Sequence, residues 1–134
     1  MGMISLINPA PYKEQPIPEI GKEYHIFDDG KVKPTRHWTC KVTELIPFSD
    51  CTDEKLIEAW KTDVEECPWL YSETTDYFIK ADAPEYNQED ALYFVRTTDG
   101  GWFSIDYPNW FSSARLDIDN SLYNKMQEWL QEAK

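Results

Sequence analysis

Residues 91–106 read ALYFVRTTDGGWFSID, and this stretch decides the fold. Two runs rich in aromatic and β-branched residues, Ala91–Thr97 and Trp102–Ile105, flank Asp99-Gly100-Gly101. Such residues suit a pleated, half-buried surface. Asp-Gly and Gly-Gly supply the positive φ that a tight hairpin turn demands. The stretch is therefore expected to be the central hairpin of a sheet, with the rest of the chain covering it.

Working upstream, Asp76–Ala81 reads as another strand and Asp82–Asp90 as an acidic polar loop. Arg36–Ile46 alternates most clearly. Trp38, Cys40, Val42 and Ile46 fall on one side, and His37, Thr39, Lys41 and Thr43 on the other. A period of two with one wet face is the pattern of an antiparallel strand. Glu44 interrupts the apolar side near the strand's end. Gly21 opens a first strand, Glu23–Phe27, and Asp28-Asp29-Gly30-Lys31 forms the turn after it. Between Arg36–Ile46 and Asp76–Ala81 the period changes. Leu56, Ile57, Trp60 and Val64 recur at helical spacing, Thr52 is placed to cap, Asp53 and Glu54 favour the first turn, and Pro68 stops the run. This predicts a helix over Asp53–Glu66. Downstream, Tyr107-Pro108-Asn109-Trp110-Phe111 forms an aromatic loop and Arg115–Ile118 a short strand. Asn120 caps a terminal helix, Ser121–Ala133, with Leu122, Met126, Trp129, Leu130 and Ala133 in one stripe. Trp60 and Trp129 are expected to be buried, one from each helix.

The order β-β-α-β-β-β-β-α predicts an α+β fold: one mainly antiparallel curved sheet of five to six strands, with an inserted helix and a C-terminal helix. Over residues 21–46 the glycine-led strand pair also resembles the start of an SH3-like barrel, so an SH3-like partial barrel is one form the curvature can take. Residues 1–20 carry Pro9, Pro11, Pro16 and Pro18 and read as an extended arm lying across the domain. Residues 21–134 form a single domain, since no repeat or linker divides them. The 134 residues suffice for a core without disulfides.

Net charge is −12. Phosphate and anionic lipid are both recognised through Lys and Arg, so neither nucleic acid nor a membrane surface is an expected partner. No run reaches the length of a membrane span, and MGMISLINPAP lacks the basic region and apolar stretch of a signal peptide. Three widely spaced cysteines, Cys40, Cys51 and Cys67, read as reduced thiols, which predicts a cytoplasmic protein. Within Asp50–Asp90, thirteen acids face only Lys55, Lys61 and Lys80.

Motifs for chemistry are missing. No CxxC, HExxH, GxSxG, Walker or dinucleotide signature occurs, and Asp28-Asp29-Gly30 lacks the spacing of a calcium loop. His25 and His37, with Asp28 or Asp29, make a poor metal set, and His37 reads as a surface histidine. Neither metal nor cofactor is expected. Cys40 and Cys67 fit the core, while Cys51, before a helix N-terminus, is the thiol whose setting could activate it.

Two functions remain. The first is a non-enzymatic binding or inhibitor protein acting on a basic partner. It shares its charge character with immunity proteins, anti-restriction DNA mimics and phage-encoded inhibitors. Its candidate surface is Glu54, Glu58 and Glu65 on the outer side of the first helix, with Asp82, Glu85, Glu89 and Asp90 from the acidic loop. The second is a small hydrolase or ligand-binding domain. It would use Asp106, Tyr107, Trp110 and Phe111, with Asp117 as a further carboxylate, since aromatics beside carboxylates suit a sugar or base.

Overall fold

The computed structural model describes residues 16–28, 36–71, 75–86, 90–98, 101–108 and 114–132. Six strands and two helices follow the expected order. They are β1 (Glu23–Asp28), β2 (Trp38–Pro47), α1 (Glu54–Glu66), β3 (Tyr77–Asp82), β4 (Leu92–Arg96), β5 (Trp102–Ser104), β6 (Ala114–Asp117) and α2 (Ser121–Glu132). Every strand pairs antiparallel with its sequence neighbour, and β1 also pairs with β6, so the curved sheet closes into a six-stranded barrel. Closure leaves no strand edge free, which removes the usual template for edge-to-edge association.

The hairpin of β4 and β5 pairs Phe94 with Ser104, Val95 with Phe103 and Arg96 with Trp102. It is apolar on both faces because both are covered. Leu92, Phe94 and Trp102 point into the barrel with Tyr24, Ile26, Cys40, Val42, Ile79, Ala81 and Leu116. A barrel of this size is filled by such side chains and holds no channel. Val95 and Ile105 point outward, under α1, with Phe78 and Tyr71. Thr97 N–H donates to the Gly101 carbonyl at the hairpin's tip. Asp99 and Gly100 themselves lie outside the described residues.

Residues 16–19 are tied to barrel side chains by hydrogen bonds. The indole Nε1 of Trp102 donates to the Pro16 carbonyl at 2.9 Å. The Tyr24 hydroxyl accepts from the Glu19 N–H. The buried Arg96 guanidinium lies 5.3 Å from the Trp102 ring centre and 5.9 Å from that of Tyr77. Between arm and barrel, Gly21 turns at φ +90°, a conformation side chains resist, and its N–H reaches the Val42 carbonyl.

Four details depart from expectation. In β2 the register shifts between Val42 and Glu44, so two residues there oppose one step on β3. A bulge reverses the alternation beyond it. Leu45 therefore faces the barrel interior, and Ile46 packs outward with the α1 cluster instead of sharing the side of Cys40 and Val42. The cap of α1 is Asp53, not Thr52: its carboxylate accepts from the Lys55 and Leu56 N–H groups. The cap falls one residue later than expected, on the side chain that also accepts the Tyr107 hydroxyl. At α2 the accepting side chains are Asp117, bonded to Leu122 and Tyr123 N–H, and Asp119, bonded to Ser121 N–H. Asn120 provides only the turn, at φ +63°, and a backbone carbonyl for Asn124 N–H.

The fourth departure concerns the helices' tryptophans. Trp60 is buried against Phe48, with ring centres 5.1 Å apart, but Trp129 is only half-buried. In α2 the buried residue is Met126, with Leu122 and Leu130 half-covered. Ala133 lies outside the described residues. The asymmetry has an energetic consequence. Trp60→Ala is expected to cost about 3–5 kcal/mol, as for other buried aromatics. Trp129→Ala is expected to cost less than about half of that, in proportion to the apolar area it removes from water. Urea unfolding of the two variants against the parent protein measures both.

Candidate functional site

Helix α1 is fixed by its buried face and by its N-terminal cap. Leu56 and Trp60 are buried against Phe78, Val95 and Ile105, with Ile57 and Val64 packed at the margin. The Asp53 carboxylate caps the helix with one oxygen and accepts the Tyr107 hydroxyl with the other. That bond holds Asp53 below the usual carboxylate range, assisted by the helix N–H groups and opposed by burial. The same bond pushes the Tyr107 hydroxyl up to about 12. The Tyr107 ring also meets Tyr93 edge-on at 5.2 Å. The helix thus enters against the segment that follows β5.

The outer side of α1 carries Glu54, Glu58 and Glu65, all exposed. The whole helix holds five acids against two lysines. Lys61 shares the acidic side, three residues after Glu58 and four before Glu65, a spacing that permits contact. Even so, none of the three glutamates takes an ion pair among the described residues, whereas Lys22 pairs with Glu19 at 3.6 Å.

Toward the helix C-terminus three carboxylates converge. Asp63 is half-buried and accepts the Asp106 N–H, while Glu66 and Asp106 lie close by. Burial first, then the charges of Asp106 and Glu66, pushes Asp63 up to about 7. Asp106 is also raised, by burial and by Glu66.

The remaining candidates divide. Asp90 is half-buried and acts on Tyr93: burial first, then the charges of Asp53, Glu44, Cys51 and Asp90, raises the Tyr93 hydroxyl. Asp82 and Glu85 are exposed, Asp82 opposite Lys41 in the β2–β3 register. Glu89, Trp110 and Phe111 lie outside the described residues. Asp117 is buried beneath the start of α2 and caps that helix, so its carboxylate serves the fold.

His37 is not the surface histidine that its strand pattern suggests. His37 is half-buried, its ring 4.6 Å from His25 and 5.1 Å from Tyr123, while His25 stacks on Tyr123 at 4.1 Å. Strand alternation put His37 on the outer side correctly; α2 then covers that side. Burial and the neighbouring His25 lower the pKa of His37. Among the described residues no three His, Cys, Asp or Glu side chains gather as a metal site. Cys40 is sealed in the barrel, its thiol pushed up to about 12 by burial. Cys51 and Cys67 are half-buried around α1.

Sequence reading passed over Trp69. It is 75 % exposed, far more than any other large apolar side chain among the described residues except Ile20 at 62 %. No spacing marks it, since it follows Pro68 in a loop that carries neither the helical nor the strand period. No protein-family model, curated protein or solved structure matches the chain. No helix among the described residues is long and apolar enough to cross a membrane.

Asp63 gives the site a pH signature. A carboxyl raised in the folded state stabilises the fold below its unfolded pKa of 3.8, and that contribution is lost as pH rises through about 7. Asp63→Asn keeps an acceptor for the Asp106 N–H without the charge. The gain in unfolding midpoint is expected to be small at pH 4, to grow through pH 5 and 6, and to level off above about pH 7. Thermal unfolding across this range measures it. A gain independent of pH would show that Asp63 ionises normally.

Proposed function

We propose that this is a non-enzymatic binding protein that presents the outer side of α1 to a basic protein partner. The observation that carries the proposal is the combination of a firmly anchored helix and an unneutralised outer face. Glu54, Glu58 and Glu65 are exposed and take no ion pair among the described residues, although Lys61 stands within reach in sequence. Like charges at i,i+4, as in Glu54 and Glu58, cost a helix a few tenths of a kcal/mol. A fixed acidic face gives fast, salt-sensitive association with a basic surface. An inhibitor acting by occupying such a surface fits this character.

A second function, a ligand-binding or hydrolytic site around Asp106, has one observation in its favour. Asp63, bonded to Asp106 N–H and pushed up to about 7, is in the range that suits a general acid. Against it, Tyr107 and Asp117 are committed to Asp53 and to α2.

The test is kinetic. After capture of a partner from a native lysate and its identification by mass spectrometry, association is followed by surface plasmon resonance at several salt concentrations. Replacing Glu54, Glu58 and Glu65 by Gln is expected to leave the unfolding midpoint unchanged. It should slow association by on the order of tenfold at low salt and flatten the salt dependence. Unchanged association kinetics would rule this face out.

A further inference from the structure

The turn after α1 is held as firmly as the helix. Cys67 N–H donates to the Asp63 carbonyl, and the Cys67 carbonyl accepts from Leu70 and Tyr71 N–H. From the hairpin of β4 and β5, Thr98 donates its N–H to the Leu70 carbonyl at 2.8 Å. Its hydroxyl lies 2.8 Å from the Trp69 carbonyl and 2.9 Å from that of Leu70. Leu70 and Tyr71 pack into the α1 cluster. The backbone on both sides of Trp69 is therefore tied to the scaffold, while its side chain stands 75 % exposed.

Scattered exposed apolar residues need no explanation. A tryptophan is a different case, because it removes a large area from water when covered and has only two side-chain torsions to lose. Placed on a fixed turn, it has little ordering left to lose on association. Its surroundings select the chemistry of what covers it: Glu65 and Glu66, both exposed, lie at the end of the helix that runs into this turn.

We propose that Trp69 is the anchor of the interaction surface, entering an apolar pocket on a basic protein partner while the α1 carboxylates meet the basic rim of that pocket. The proposal rests on the acidic-face function above and adds the apolar half of the partner. Tryptophan is among the residues most enriched at binding hot spots, and the rim of an interface is polar.

The probes are two synthetic helical peptides of equal positive charge. One has a lysine face and a leucine stripe, and the other has the same lysines with glutamine in place of leucine. Binding to the full chain is measured by calorimetry at two salt concentrations. The Trp69 indole N–H resonance, assigned through Trp69→Phe, is followed by NMR. The leucine peptide is expected to bind about tenfold more tightly than the glutamine peptide and to shift the Trp69 resonance. Trp69→Ala removes that tenfold difference without altering salt dependence or unfolding midpoint, and Trp69→Phe restores most of it. The triple Gln variant weakens both peptides.

If Trp69→Ala binds the leucine peptide as the parent does, while the triple Gln variant does not, Trp69 is no anchor and the acidic face stands alone. If neither peptide binds, the acidic-face function fails and the anchor with it. Self-association in sedimentation, abolished by Trp69→Ala, would make a second copy the occupant and overturn the basic partner.

Discussion

The pairing of β1 with β6 is the constraint on which the other features depend. Ile26 opposite Leu116 and His25 opposite Asp117 close a sheet that would otherwise end in two free edges. Closure gives each strand an inner and an outer side along its whole length. The inner sides fill an apolar interior with Phe94, Trp102 and Ile79, and the outer sides must then be covered by something else. The two helices do this. Helix α1 lies over Phe78, Val95 and Ile105, and Tyr123 of α2 lies over His25 and His37. A bulge in β2 makes the first covering possible by turning Ile46 outward just before the chain leaves for α1.

From this frame the properties of the site follow. Asp53 joins the N-terminus of α1 to Tyr107, and Thr98 joins the turn beyond the helix to the central hairpin. Both ends of one helix are thus fastened to the barrel wall. What faces water is then presented in a fixed geometry: three glutamates along the helix and one tryptophan just past it. Preorganisation of this kind lowers the ordering cost of association. The converging carboxylates Asp63, Glu66 and Asp106 mark where this fastening works against electrostatics, since Asp63 is driven up to about 7.

Much of the fold was legible in the sequence because two periods dominate it. The alternation in β2 and the helical spacing of Leu56, Ile57, Trp60 and Val64 are each written in residue types, and the two β-rich runs around Asp99-Gly100-Gly101 contain β4 and β5. The element order follows directly. What was not legible has common physical causes. The bulge at Val42–Glu44 leaves no mark except Glu44 on an apolar side. Capping by Asp117 depends on how a strand meets the next helix, which no local spacing encodes. His37 was placed on the correct side of β2, but what covers that side is a tertiary matter. The acidic side of α1 was legible from steps of four and seven residues. Trp69 was not, because an apolar residue in a loop reads the same whether it packs or projects.

The claim that matters most is that α1 and the turn after it form one cooperative body with the closed barrel. Native-state hydrogen exchange followed by NMR tests it most directly. The amides of Trp60 to Val64 and of Thr98 should exchange with the same free energy of opening as Ile26 and Leu116 in the closing strand pair, all through global unfolding. If the α1 and Thr98 amides instead open at a much smaller free energy while β1 and β6 stay protected, the helix opens on its own. Its glutamates and Trp69 would then not be held as a preformed surface.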